Sequence, residues 1–207
     1  MVPRASLRSA QLRRGSRPAQ SRWTERGVVL VEAALIFPMV MMLIMASFEF
    51  ALAFRSSLTL TNAVQAAART ASAQGNNPEA DFEILQTLEK NLSIIDPAEV
   101  QYIVIFRAPI IGSSLDDSAL RGCRTTSIAN VCNRYTAFDL SRPRVAFGCM
   151  NAFDRSWCPG SRRVRLDDPP DLIGVHVELE HETATRLIGR NYRMSQRSII
   201  QIEPRRS

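Results

Sequence analysis

The sequence predicts an α+β chain. A long N-terminal helix, apolar in its first half, packs on a small antiparallel β-sheet domain with a disulfide-pinned loop region. Three observations predict this. Residues 28–54 are apolar apart from Ser47, and only Glu32 and Glu49 are charged. The stretch that follows keeps helical spacing without a break, with Leu60, Ala63, Val64, Ala67 and Ala71 on one stripe. Further on, "EVQYIVIFRA" and "DLIGVHVELEHET" alternate as strands do, and "RNYRMSQRSIIQIEP" reads as a last strand.

Before the helix lies a basic leader, residues 1–27. It holds Arg4, Arg8, Arg13, Arg14, Arg17, Arg22 and Arg26 against one acid, Glu25. The whole chain has 26 basic and 20 acidic residues, so nineteen of each sign remain beyond the leader. The pI of about 9.8 therefore belongs to a tail. Nucleic-acid binding needs cations gathered on a folded face, so no nucleic-acid partner is expected. Arginines flanking an apolar helix stay on the cytoplasmic side, and Trp23 stands where an interfacial aromatic is expected. The chain then runs N-terminus in, C-terminal domain out, as a single-pass protein of the cytoplasmic (inner) membrane. The leader has no periodic apolar pattern and is expected to be disordered.

The uncharged run Ala33–Phe48 has 16 residues, about 24 Å of helix at a rise of about 1.5 Å per residue. That is short of a hydrocarbon core of about 30 Å. Extending the count past both glutamates gives a span over 28–54, in contact with membrane lipid. Glu32 and Glu49 then fall near its two faces, where a charge costs less than at the centre. Glu49, followed by Arg55, marks the outer boundary, the alternative being a partner at that face. Pro38 removes one backbone hydrogen bond and should kink or soften the helix. A cleaved signal peptide would have a shorter apolar core free of acids. Here the helix continues over 55–75, and Gly75 stops it before Asn76, Asn77 and Pro78. Its small-residue stripe suits close packing against another helix or a sheet.

These residues carry a resemblance. Gly27 is followed by Val28, Val29, Leu30, Val31 and Glu32, and type IV-like prepilins have a basic leader ending in Gly and a Glu at the fifth position after the cut. The longer stretch "GVVLVEAALIFPMVMMLIMASFEFALAFRSSLTLTNAVQAAARTA" resembles the TadE/TadG-type minor pilins of tight-adherence (Tad) pilus systems. The shared features are the V-E-A-L-P pattern, the acid in "FEF", and "NAV" with "AAR" in the emerging helix. "IGVHVELEH" and "YRMSQRSIIQIEP" extend the likeness to the C-terminus. The resemblance implies a minor pilin or pseudopilin whose partners are other pilin or pilus-assembly subunits and a prepilin peptidase. The peptidase would cut between Gly27 and Val28. Glu32 would lie against the new α-amino group of Val28 in a neighbouring subunit, and Pro38 and Glu49 would sit on the packing helix. Such a buried pair sets register, because removing one partner strands the other. Ala33 follows Glu32 where such pilins often place an aromatic residue. The alternative is an uncleaved single-pass anchor carrying a small extracytoplasmic binding domain.

Residues 76–207 form the outer α+β domain and hold all four cysteines. Cys123 and Cys132 are spaced C-x8-C, and Cys149 and Cys158 repeat that spacing sixteen residues on. In an exported, loop-rich segment an even count reads as two disulfides, with three connectivities available. The symmetry of spacing favours local pairs. Zinc knuckles would need shorter C-x2–4-C spacing, so no metal is expected.

"NPEADFEILQTLEKNL" is a short helix begun by Asn77 and Pro78, with Ile84, Leu85, Leu88 and Leu92 on its apolar face. In the first strand Tyr102, Val104 and Phe106 share one side and Ile103 and Ile105 the other. Residues 109–171, rich in Pro, Gly, Asp and Arg, read as an irregular stretch held by bridges rather than by a core. Within it Arg162, Arg163 and Arg165 stand near Asp167, Asp168 and Asp171, as local charge pairs. In "DLIGVHVELEHET", Ile173, Val175, Val177 and Leu179 point inward, and His176, Glu178 and Glu180 point to solvent. A hairpin including Gly189 and Asn191 leads into the last strand, and Arg205 and Arg206 form a solvated end.

No G-x-G-x-x-G, P-loop, G-x-S-x-G or H-E-x-x-H motif occurs. His176 and His181 are five apart, so they face opposite sides of a strand. No catalytic residue, cofactor or metal site is expected, and the chain is read as a structural protein rather than an enzyme.

Overall fold

The computed structural model describes residues 22–109, 117–150, 153–165, 169–183 and 189–204, with the backbone alone over 22–26 and 117–120. The leader up to residue 21, Asp167, Asp168, Arg205 and Arg206 lie outside the described residues. Two units divide the chain, Met1–Ile44 and Met45–Ser207.

Helix α1 runs from Arg22 to Gln74 and continues through Pro38. It starts before Val28, so residues 22–27, expected to lack order, form its first turns. Proline has no N–H to give Ala34, yet the flanking apolar residues keep the helical path. Every residue of the first unit from Gly27 to Ile44 is exposed. Gly75 ends the helix with a φ of 57°, and its N–H donates to the Ala71 carbonyl at 3.2 Å. That left-handed cap suits glycine. A side chain there would also press on Ile202 and Val164 at 3.3 Å.

The second unit is a four-stranded antiparallel sheet with helices on both faces. Its strands are β1 (Val100–Ala108), β2 (Cys132–Tyr135), β3 (Leu172–Glu182) and β4 (Asn191–Gln201). They lie in the order β2-β1-β3-β4. The helices are α2 (Ala80–Asn91), α3 (Asp117–Thr125) and α4 (Ala137–Leu140). Helices α1 and α2 lie on one face of the sheet and α3 on the other. The register sets Ile103 opposite both Val177 and Tyr135, and Val104 opposite His176. Strand alternation therefore sorts the sheet into two apolar layers.

Ile103, Ile105, Ile173, Val175, Val177 and Leu179 line the inner layer, against the Leu60–Ala71 stripe of α1 and the Ile84–Leu88 face of α2. Alanines at Ala63, Ala67, Ala68 and Ala71 are all buried, and their small side chains let the helix approach the sheet closely. Each fully buried leucine or isoleucine here contributes about 1.5–3 kcal/mol. Tyr102, Val104 and Phe106 line the outer layer with Cys123 and Cys132.

Some expectations need correction. Pro78 does not open α2: the helix starts at Ala80, and Asn77 instead caps the turn ahead of it, accepting from the Glu79 N–H at 3.1 Å. The stretch 109–171 holds α3, strand β2, α4 and two 3-10 turns. It has a core as well as bridges, since Tyr135, Phe147, Trp157 and Val164 are buried in the inner layer. Strand β2 was missed because four residues carry too little period to register. The disulfides join Cys123 to Cys132 and Cys149 to Cys158, the local connectivity of the three.

Candidate functional site

In its described residues the first unit is the helix that carries Gly27, Val28, Glu32 and Pro38. Val28 is 60% exposed, and Leu30, Leu35, Met39 and their neighbours are similarly open. This surface has no apolar periodicity because it is apolar all round, as a lipid- or helix-covered segment is. Among the described residues α1 alone is long and apolar enough to cross a membrane, and none of its most apolar stretch is buried. Glu32 is exposed within it and forms no hydrogen bond or ion pair with another described residue. A carboxylate so placed in an apolar surface needs water or a cation that the other described residues do not supply. Gly27 has open space around it.

Glu49 behaves differently. It is 5% exposed and is the first residue of the stripe that α1 turns toward the folded unit. The stripe continues through the half-buried Ala53 and Ser56 to the buried Leu60, Ala63, Ala67 and Ala71. Glu49 lines a groove of about 400 Å³ with Phe50, Ala53 and Phe54, closed on the other side by His181, Tyr192 and Met194. His181 in turn stands 3.1 Å from a Glu99 carboxylate oxygen. The sequence reads Glu49 as the mark of the outer membrane boundary. Its helical phase with Leu60 and Ala63 was the signal that it faces the fold.

The second unit is held by a buried polar centre that the sequence reading missed. Asp81 and Arg162 form an ion pair at 2.5 Å with both side chains fully buried. The other Asp81 oxygen accepts from Tyr135 Oη at 2.6 Å and from Asn133 Nδ2 at 2.8 Å. Asn133 also binds the loop backbone, accepting from the Trp157 N–H at 2.8 Å and donating to the Trp157 carbonyl at 2.9 Å. The Arg162 guanidinium lies 4.3 Å from the Trp157 ring centroid. One carboxylate on α2 thus fixes β2 and the Cys149–Cys158 loop together. Burial, then the charge and hydrogen bond of Asp81, push the Tyr135 phenol well above its usual range. Burial likewise raises Asp154, against the Gly148 and Cys149 N–H groups that bind it. Asp81 was legible as an acid on the apolar face of α2, three and four residues before Ile84 and Leu85.

The expected charge pairs split. Arg163 and Arg107 share Asp171, at 2.9 and 2.8 Å. Burial works against the Asp171 charge, but the bonds from Arg163 and Arg107 win and hold its carboxyl below the usual range. Arg162 instead enters the core.

His176 was expected in solvent and is 4% exposed. Its ring centroid lies 5.8 Å from that of Tyr102, and neither ring nitrogen has a hydrogen-bond partner among the described residues. Burial first, then Arg124, push it down to about 4, with Glu178 opposing. Tyr102 donates to Glu178 at 2.5 Å. Period-two alternation gives the face of a strand residue but not whether another layer covers that face. Among the described residues no three His, Cys, Asp or Glu side chains stand close enough to hold a metal ion. The described polar centres act on structure: they are bonded to each other and to backbone.

Residues 27–69 match the family model described as TadE-like protein. Over that stretch the chain is similar to this family, in agreement with the resemblance carried by residues 26–74. No curated protein and no solved structure matches the chain significantly.

Proposed function

We propose that this protein is a minor pilin or pilus-assembly subunit of a Tad-type system, anchored through α1 with its second unit outside the inner membrane. The observation that carries the proposal is the TadE-like match, which begins at Gly27 and covers the apolar segment and the Ala-rich stripe. Support comes from chemistry at the same place. Glu32 sits exposed in a surface that is otherwise apolar, five residues after Gly27. A prepilin peptidase cutting after Gly27 would free the Val28 amine, and that cation on a neighbouring subunit would neutralise Glu32. Removal of water from the pair would make it costly to mismatch, which fixes register between helices. The outer domain, pinned by two disulfides and the Asp81 centre, would present the exposed Phe138, Val145 and Met150 to assembly partners.

The test is the N-terminal sequence of the native protein from membrane and sheared-surface fractions. A start at Val28, abolished by Gly27→Asp, is the expected result. A start upstream of Gly27 in every fraction would refute processing. A specific observation favours that second reading, the uncleaved anchor: α1 is helical from Arg22 through Gly27, and cleavage sites are usually in open chain.

A further inference from the structure

The sequence leaves a mismatch that the fold resolves. Between Glu32 and Glu49 the uncharged run is 16 residues, about 24 Å of helix, which is too short for a hydrocarbon core of about 30 Å. Folding withdraws Glu49 from the helix surface, leaving it 5% exposed. The residues that stay open around it are Ser47, Phe48, Phe50, Ala51 and Phe54, all uncharged and all but the serine apolar. The next exposed charge is Arg55. The charge-free exposed surface of α1 therefore runs from Ala33 to Phe54. Those 22 residues rise about 33 Å, enough to span.

If lipid reaches Phe54, it also reaches what stands beside Phe54. Tyr192, at the start of β4, lines the same groove as Phe50 and Phe54, although it lies far along the chain from both. Phe50 is 71%, Phe54 56% and Tyr192 58% exposed, and the Phe50 and Phe54 rings stack at 6.3 Å. Exposed aromatics at one level, one of them with a polar tip, are the composition of a membrane-interface belt. Asn191 and Thr183 beside them supply polar groups suited to headgroup depth. No described Asp, Glu, Lys or Arg other than the buried Glu49 lines the groove.

We propose that the groove-bearing base of the second unit, with Phe50, Phe54 and Tyr192, is seated in the lipid interface. Burial of Glu49 carries the lipid boundary from Phe48 out to Arg55. The partner is the acyl–headgroup boundary of a bilayer. This rests on the reading of α1 as a membrane span, and adds to it a lipid contact made by the β3–β4 hairpin.

Single-cysteine variants of the full chain, its native cysteines left paired, would be spin-labelled and reconstituted at low protein-to-lipid ratio. Collision with oxygen, which partitions into lipid, is compared with a water-soluble nickel chelate. The variants are Phe37→Cys within the span, Phe54→Cys, Tyr192→Cys, and Val145→Cys as an exposed reference outside the groove. The expected result is oxygen dominance at 37, 54 and 192, with a ratio at 192 several-fold above that at 145. Oxygen dominance at 37 with a water-like signal at 54 or 192 overturns the proposal and leaves the span standing. Protection of 192 from both reagents means that protein covers it, and also overturns the proposal. A water-like signal at 37 overturns the membrane reading itself. Phe50→Cys, also exposed, repeats the helix-side measurement if the Phe54 variant does not fold.

Discussion

Replacing Asp81 by alanine should cost the second unit much of its stability. The carboxylate is wholly buried and answers three donors: Arg162 at 2.5 Å, Tyr135 at 2.6 Å and Asn133 at 2.8 Å. Its loss strands a guanidinium whose Nε and Nη1 already lack hydrogen-bond partners among the described residues. The Trp157 ring beneath it offsets little of that charge. Breaking one side of a buried ion pair costs about 3–5 kcal/mol. For a chain of this size the melting temperature should fall by roughly 6–20 °C, at about 2–4 °C per kcal/mol. The assay is urea unfolding of the full chain in detergent micelles, followed by circular dichroism and tryptophan fluorescence. The double variant Asp81→Leu with Arg162→Met removes the charge and its partner together. It should recover part of the loss, because an apolar pair of similar volume has no desolvation cost, while the buried Tyr135 hydroxyl still loses its acceptor. A loss below about 1 kcal/mol for Asp81→Ala, the range of an exposed pair, would refute the reasoning. So would a double variant no more stable than the single one.

Two other predictions concern the sheet. The fold keeps His176 neutral, with its pKa lowered from 6.5 to about 4, so only the unfolded chain takes up its proton between these values. Stability should drop by roughly 3 kcal/mol as pH falls from 6.5 to 4, and His176→Leu should flatten that part of the profile; parallel curves for the two proteins would refute this. Gly174 lies opposite Phe106 in the register, and the Phe106 ring occupies the space a Cβ would need. Gly174→Ala should therefore cost about 1–3 kcal/mol or more by overpacking, Phe106→Leu in the same chain should relieve it, and an unchanged melting temperature would show that the ring moves freely.

The sequence by itself determined the linear features. The apolar helix shows as an unbroken uncharged run, and its continuation to Gly75, the α2 face and the strands β1 and β3 each carry a period long enough to stand above chance. The symmetry of cysteine spacing favoured the pairs that form. The Gly27–Glu32 spacing needed no fold to be seen. Tertiary structure alone decided what covers each face. Alternation put His176 opposite the core face, and only the layer containing Tyr102 and Cys123 buried it. Arg162, Arg163 and Arg165 look alike in sequence, yet one of them enters the core to meet Asp81 and another joins Arg107 at Asp171. Glu49 looks like a boundary charge until the β3–β4 hairpin closes over it. Burial depends on partners far along the chain, and a local period contains no information about them.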